Sequence, residues 1–269
     1  MLLQARRVLR QFRYAMYFNG IDGYIDLGTP SVIKNFSQSS FTVITWFYSL
    51  GMYKPNNILN YCRIVVDDSH PTTSGIGGMW GLAHGDCGLT TTQACIRFYF
   101  RGENPLTFDY AWIYYRTWNM LSVVRDLYAK QYRGYVNNSL IATRSIAGYT
   151  YSPNTYPVTI GGETDTSYEK SSTVYGLIAQ VLLYSRALSD SEIQFNYQYP
   201  DNPVRRGLVL WLQANPQYIK DIDGDGILEW IDLSGYNNHG KIYGGAQLVQ
   251  PVKSAIRILP KARILKVLR

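Results

Sequence analysis

The feature that most constrains the fold is a long series of short strand-like segments separated by turn residues. The segments are rich in Val, Ile, Tyr, Phe, Trp and Thr, which favour β-strands. Pairs such as Asn19-Gly20, Asp22-Gly23 and Asn137-Asn138 suit the tight turns between strands. The predicted strands are residues 15–18, 24–27, 41–49, 58–66, 79–83, 94–100, 108–115, 121–125, 133–136, 140–145, 158–160, 177–184 and 208–212. This pattern predicts an all-β protein in which two antiparallel sheets pack as a sandwich.

One segment of the body has a clear helix signature. Ser189 can cap a helix, and Glu192 can reach back to the cap, so a capping box predicts a short helix over residues 190–197. No linker rich in Gly, Pro or Ser divides the body, which favours one domain. No apolar run approaches the roughly 18–20 residues that span a bilayer, so no transmembrane segment is predicted.

The positive charge of the chain is concentrated at its two ends. The chain of 269 residues has a net charge of +7, but residues 1–14 carry +4 and residues 253–269 carry +6 without a single acid. Residues 15–252 therefore have a net charge of −3. We interpret the protein as a slightly acidic body with two basic arms.

The arms are apolar as well as basic. Leu, Ile, Val and Phe alternate with the charges, which a solvated tail does not need. The arms are either solvated tails or docking segments for neighbouring subunits, nucleic acid or an anionic membrane. The predicted partner-binding residues are Arg6, Arg7, Arg10, Arg13, Lys253, Arg257, Lys261, Arg263, Lys266 and Arg269.

The N-terminal residues do not form a clear secretory signal, because arginines interrupt the hydrophobic residues and no cleavage site follows. Of the three cysteines, Cys87 and Cys95 flank a short connection. They either form a disulfide across a hairpin or remain free thiols, as Cys62 would.

Several motifs, in order, resemble the concanavalin A-like, laminin-G-like jelly-roll domains. They are residues 16–28, 41–46, 118, 123–126, 134–142, 160–162 and 176–193. The resemblance covers about residues 15–200 and implies two curved antiparallel sheets packed face to face in a jelly roll.

Residues 207–212 and 232–245 resemble a segment that usually precedes the first strand of such domains, but here they follow the predicted helix. They either fold back as a permuted pair of terminal strands or begin a truncated second copy. Because residues 207–252 are too few for another sandwich, we favour folding back. The predicted organisation is an arm at 1–14, a jelly roll at 15–252 and an arm at 253–269.

Residues 221–232 have the spacing of a calcium-binding loop. Three aspartates occupy positions 1, 3 and 5, a glycine provides the turn at position 6, and an aspartate stands at position 12, where glutamate is usual. Such spacing wraps hard oxygen ligands around one cation. The predicted calcium ligands are Asp221, Asp223, Asp225, the Ile227 carbonyl, Glu229 and Asp232. The alternative is a surface turn rich in Asp and Gly.

Two other groups of residues are candidate sites. Glu163 and Glu169 loosely resemble the paired carboxylates of jelly-roll glucanases, but their polar surroundings indicate a loop. The segment 108–115 would place Phe108, Tyr110, Trp112 and Tyr114 on one strand face, where they either stack on sugar rings or pack in the core.

These observations favour a non-catalytic binding and assembly protein, with a structural component of a virion or surface layer as the concrete hypothesis. The fold resemblance alone suggests a carbohydrate-binding adhesin or lectin-like module. A jelly-roll glycoside hydrolase is the third hypothesis. Because a fold does not fix a function, the ranking rests partly on analogy.

Overall fold

A computed structural model describes residues 12–51, 62–68, 78–85, 92–100, 107–150, 152–153, 155–162, 173–252 and 255–258. Its strands are β1 (Ala15–Asn19), β2 (Tyr24–Asp26), β3 (Phe41–Ser49), β4 (Cys62–Asp68), β5 (Gly78–Gly85), β6 (Gln93–Phe100), β7 (Thr107–Tyr114), β8 (Trp118–Asp126), β9 (Gln131–Val136), β10 (Ser139–Ser145), β11 (Val158–Ile160), β12 (Tyr175–Tyr184), β13 (Leu208–Gln213), β14 (Ile219–Lys220), β15 (Glu229–Trp230), β16 (Gly240–Tyr243), β17 (Gln247–Val252) and β18 (Ala255–Ile258).

The described helices are few and short. They are α1 (Ser31–Lys34) and α2 (Asp190–Gln198), with 3₁₀ turns at Asn35–Gln38 and Pro216–Tyr218. The capping box predicted for α2 is confirmed, since Ser189 accepts a hydrogen bond from the Glu192 backbone and the Glu192 side chain binds the Ser189 backbone. The sequence analysis missed α1. No helix within the described ranges has the length and apolar character needed to cross a membrane.

The strands form two sheets. The first sheet has the order β10-β9-β8-β3-β12-β1-β17-β18, with β13 also paired to β12. The second sheet has the order β14-β15-β16-β2-β11-β4-β5-β6-β7. Neighbouring strands are antiparallel throughout, from β3 against β12 to β6 against β7. The predicted all-β, two-sheet antiparallel jelly-roll sandwich is confirmed.

The segment after α2 folds back and supplies strands to both sheets. In the first sheet, β13 pairs with β12, and β17 pairs with β1. In the second sheet, β16 pairs with β2. The segment that stands unusually late in the sequence therefore completes the sandwich rather than beginning a second one.

The main core lies between the two sheets. Aromatic residues meet there from both sides, and Phe41 of β3 contacts Trp80 of β5 with ring centroids 5.4 Å apart. Phe36, in the 3₁₀ turn after α1, stacks on Phe41 at 4.8 Å and closes one end of this core. Such burial of large apolar side chains is the main stabilising contribution to the fold.

A second apolar cluster lies on the outer face of the first sheet, under α2. Trp46 stands in its middle, with the Phe12 ring at 5.4 Å and the Tyr197 ring of α2 at 5.5 Å. Phe12 is buried, whereas the predicted N-terminal arm included it. The end of that arm is thus part of the packed body, because Phe12 covers Trp46 and Trp118.

Two of the three cysteines are described. Cys62 is buried and is not part of a disulfide. Cys95 is disulfide-bonded, while Cys87, which we considered as its partner, lies outside the described residues.

Candidate functional site

Two exposed aromatic side chains stand on the outer face of β7, the last strand of the second sheet. Trp112 is 46% exposed and Tyr114 is 56% exposed. They lie two residues apart on one strand, so both point to the same side of the sheet. Exposed aromatic rings that are neighbours on a sheet face are a typical feature of a binding surface.

The aromatic row predicted for residues 108–114 is divided by a β-bulge. The register between β6 and β7 shifts between Ile96 and Arg97, which leaves Tyr110 opposite no single residue. Tyr110 turns into the core, where its ring lies against Gly134 so closely that an added Cβ would be 2.4 Å from it. The prediction of one shared face is therefore wrong for Tyr110. The Phe108 side chain lies outside the described residues.

Polar side chains of β6 lie beside the aromatic pair of β7. Gln93 lies opposite Tyr114, and Arg97 lies opposite Asp109. The guanidinium of Arg97 binds both carboxylate oxygens of Asp109, and the Nη2–Oδ2 distance is 2.7 Å. Asp109 is 44% exposed, so part of this ion pair faces solvent. Sequence analysis missed Arg97 and Gln93, because their position depends on the strand pairing.

On the next strand, β5, the residues of this face are small. Gly81, Ala83 and Gly85 pair with Tyr99, Arg97 and Cys95. The Tyr99 ring lies over Gly81, and the guanidinium of Arg63 lies 4.9 Å from the centre of that ring. Tyr99, Ala83 and Cys95 are buried, so among the described residues the exposed part of this face lies at Trp112, Tyr114 and Asp109 on β7.

The predicted calcium loop lies at the opposite side of the same sheet, between β14 and β15. One carboxylate oxygen from each of Asp221, Asp223 and Asp225 lies within 4.8 Å of the others. Asp221 accepts hydrogen bonds from the backbone of Gly224 and Gly226, which holds the loop in a tight turn. The structure thus brings together positions 1, 3 and 5 of the loop.

A lysine that the sequence analysis did not identify reaches this loop from β16. Lys241 Nζ donates to Asp223 Oδ2 at 2.8 Å and to Asp225 Oδ2 at 2.5 Å. These hydrogen bonds lower the pKa of the Asp223 carboxyl and raise the pKa of the Lys241 ammonium group. The two carboxylates therefore converge on one cationic atom.

Glu229 and Ile227, at positions 9 and 7, have different roles. Glu229 is 7% exposed, and its Oε2 has no hydrogen-bond partner among the described residues. Burial, together with the charge of Asp223, raises the pKa of Glu229. The Ile227 N–H donates to Asp225 Oδ1 at 2.8 Å, which stabilises the turn.

Asp232, predicted as the ligand at position 12, forms hydrogen bonds outside the aspartate cluster. Its carboxylate accepts hydrogen bonds from the Trp211 N–H at 2.9 Å, from both the N–H and hydroxyl of Ser234, and from the Asn238 N–H. It therefore anchors the following loop to β13 rather than joining the cluster of the other three aspartates. The Asp232 N–H in turn donates to His239 Nδ1 at 3.0 Å.

Most of the other predicted site residues lie outside the described residues. Arg13 is described and exposed, and its guanidinium is 5.8 Å from the centre of the Tyr14 ring. Of Arg257 only the backbone in β18 is described. Outside the described residues are Arg6, Arg7, Arg10, Lys253, Lys261, Arg263, Lys266, Arg269, Glu163 and Glu169.

Comparison with known proteins identifies the family. A family model of the concanavalin A-like lectin/glucanases superfamily matches residues 19–194, which is more than half of the chain. The chain belongs to this superfamily. No curated protein matches the sequence.

Solved structures share the fold at low sequence identity. A Bacteroides ovatus structure described as a "putative carbohydrate binding protein" superposes with a TM-score of 0.61 and 13% identity over 93% of this chain and 62% of that one. The CBM40 of the Ruminococcus gnavus IT-sialidase, bound to α2,3 sialyllactose, superposes with a TM-score of 0.51 and 18% identity, over 67% of this chain and 94% of that one. A heptameric SAP-like pentraxin from Limulus polyphemus superposes with a TM-score of 0.50 and 12% identity, over 69% of this chain and 82% of that one. The chain therefore has a lectin-like jelly-roll fold.

Proposed function

We propose that this protein is a non-catalytic carbohydrate-binding module whose binding face is the outer surface of β6 and β7. The observation that carries the proposal is the exposed pair Trp112 and Tyr114 on one face of β7. Sugar rings have apolar C–H faces that pack on aromatic rings, and the bidentate pair of Arg97 and Asp109 supplies donors and acceptors for hydroxyl groups nearby. The lectin-like fold supports this proposal, as do two structural neighbours, one described as a "putative carbohydrate binding protein" and one a CBM40 bound to α2,3 sialyllactose.

A binding role fits this face better than hydrolysis. Retaining and inverting glycosidases both need a pair of carboxyl groups beside the scissile bond. On the described face of β6 and β7, Asp109 is the one carboxylate, and both of its oxygens are bound by Arg97.

The disulfide at Cys95 favours an oxidising location such as a cell surface.

The first prediction is that Trp112→Ala and Tyr114→Ala each weaken glycan binding by at least about tenfold, because stacking on an exposed aromatic residue is a dominant contact. A glycan array identifies the ligand, and calorimetry measures its affinity. Tyr128→Ala is the matched control, since Tyr128 is 99% exposed in the turn between β8 and β9 of the other sheet.

An array without any binder would contradict this proposal, and so would an equal loss of affinity in the Tyr128 variant. The protein should release no sugar from its ligand. Release that disappears in Glu163→Gln and Glu169→Gln variants would support the glycoside hydrolase instead.

One specific observation favours the second candidate function, which is assembly into a virion or surface layer. In the described part of the chain, β18 is the last strand of the first sheet, and its outer edge has no paired strand. An open edge presents backbone donors and acceptors that can pair with a strand of a neighbouring subunit. β18 itself belongs to the predicted C-terminal arm, so the basic and aliphatic residues of this arm would contact that neighbouring subunit.

The second prediction is that removing residues 1–11 and 253–269 abolishes self-assembly while the sandwich still folds. The first deletion must stop before Phe12, because Phe12 covers Trp46 and Trp118. Light scattering measures the assembly. A further variant that lacks residues 1–13 should melt at a lower temperature than the variant that lacks residues 1–11, because it has also lost Phe12. Unchanged assembly of the protein lacking both arms would identify them as tails.

A further inference from the structure

A lysine and an aspartate meet in the interior of the protein. The side chain of Lys34, the last residue of α1, is 4% exposed, and the side chain of Asp67 in β4 is fully buried. The Lys34 Nζ atom contacts Asp67 Oδ1 and donates a hydrogen bond to the Tyr156 backbone carbonyl at 2.8 Å. The lysine nitrogen is therefore held against the carboxylate by a second contact.

The surroundings of this pair are apolar. Asp67 lies in register with Trp80 of β5 and with Val158 of β11, and both of these belong to the core between the sheets. Cross-strand partners point to the same face of a sheet, so the Asp67 carboxylate faces that core. Phe36, two residues after Lys34, is also fully buried, with its ring 5.6 Å from the ring of Trp80. The pair is thus shielded from water.

Another contact between a lysine and aspartates lies at the surface and has different surroundings. The side chain of Lys241 is 31% exposed, and those of its partners Asp223 and Asp225 are 49% and 37% exposed. Water hydrates both charges of such an exposed pair, so it remains ionic. Two charges in a dry interior have lost their hydration at a large cost, which favours a neutral form of the buried pair.

We propose that the side chains of Lys34 and Asp67 join covalently in an amide bond after the chain has folded. The ammonium group first gives a proton to the carboxylate, which leaves a neutral amine and a neutral carboxylic acid. The lone pair of Nζ attacks the carboxyl carbon, a C–N bond forms, and one C–O bond breaks. The hydroxyl group leaves with a proton from the nitrogen as water, so no external reagent is consumed.

The fold supplies the conditions for this reaction. Holding the two groups in contact replaces a collision between separate molecules, which greatly raises the effective concentration of the reactants. The dry core also disfavours the reverse reaction, because hydrolysis of the amide needs water at the bond. The product ties α1 to β4 across 33 residues of sequence, and reducing agents cannot open it as they open the disulfide at Cys95. The crosslink depends on neither of the proposed functions.

The test is mass spectrometry of the full chain after denaturation and reduction. We expect the native chain to be lighter than its sequence by one molecule of water. Trypsin should fail to cut after Lys34, and the peptide that contains Lys34 should be covalently joined to the peptide that contains Asp67. Trypsin should cut normally after Lys241, which is the matched control because it contacts aspartates at the surface.

Lys34→Arg is the matched variant. Its guanidinium keeps a positive charge beside Asp67 but stays protonated, so its mass should equal that of its sequence. A native chain with the full mass of its sequence would overturn the proposal and identify the pair as ionic only. A loss of water that persists in Lys34→Arg, or that maps to an aspartate before a glycine such as Asp22, would overturn it as well, because such an aspartate can close a cyclic imide. The digest of the native chain decides the question even where the variant does not fold.

Discussion

Replacing Asp232 by alanine is expected to lower the free energy of unfolding by about 3 kcal/mol, because buried donors lose a charged acceptor. Asp232 is 5% exposed, and its carboxylate accepts four hydrogen bonds, one of them from the backbone of Trp211 in β13. The others come from Ser234 and Asn238, in the loop before β16. The substitution therefore leaves several N–H groups without partners and detaches the loop from the sheet.

Thermal unfolding measures this effect, and for a chain of this size the melting temperature should fall by roughly 6–12 °C. Asp232→Asn should lose less, because its amide oxygen can still accept from the Trp211 N–H. Asp201→Ala is the matched control: Asp201 is exposed and accepts one hydrogen bond, from Gln213. A melting temperature of Asp232→Ala equal to that of Asp201→Ala would show that the loop is held by other contacts.

Acid is expected to destabilise the fold through His84. This side chain is fully buried between the sheets, with the Phe47 ring at 5.1 Å, and neither ring nitrogen has a hydrogen-bond partner among the described residues. Burial lowers the pKa of His84 from 6.5 to about 3. The unfolded chain therefore binds a proton between these pH values that the folded protein does not.

The sign follows from this difference. The contribution of neutral His84 is fully present above pH 6.5 and is lost as the pH falls toward 3, at roughly 1.4 kcal/mol per pH unit. At pH 5 the free energy of unfolding should be about 2 kcal/mol lower than at pH 7.5 because of this residue. Urea unfolding of the native protein and of His84→Leu at both pH values measures the contribution of His84 to this change in the free energy of unfolding.

The leucine variant lacks the titrating group, so its stability should change less between the two pH values. It should also be the more stable protein at pH 5. Equal pH dependence in the two proteins would show that the buried imidazole remains paired or hydrated. The pKa of Glu192 is lowered from 4.5 to about 2, so its own effect on stability falls between these two values, below pH 5.

The sequence by itself determined the parts of the protein that depend on short-range patterns. Alternating strand residues and turn residues predicted the two-sheet sandwich, and the capping box at Ser189 and Glu192 predicted α2. The clustering of Asp221, Asp223 and Asp225 also followed from local spacing, because these residues belong to one tight turn. In each case the interacting groups are close in the chain, so few alternative arrangements exist.

Only the tertiary structure decided which of the remaining side chains meet. The β-bulge beside Arg97 turns Tyr110 into the core, whereas strand alternation alone placed Tyr110 on the same face as Trp112 and Tyr114. Lys241 reaches the aspartate loop because β16 pairs with β15, while Asp232 is committed to β13, 21 residues earlier in the chain. These contacts depend on strand register and pairing across long stretches of sequence, and packing of the whole sandwich selects them.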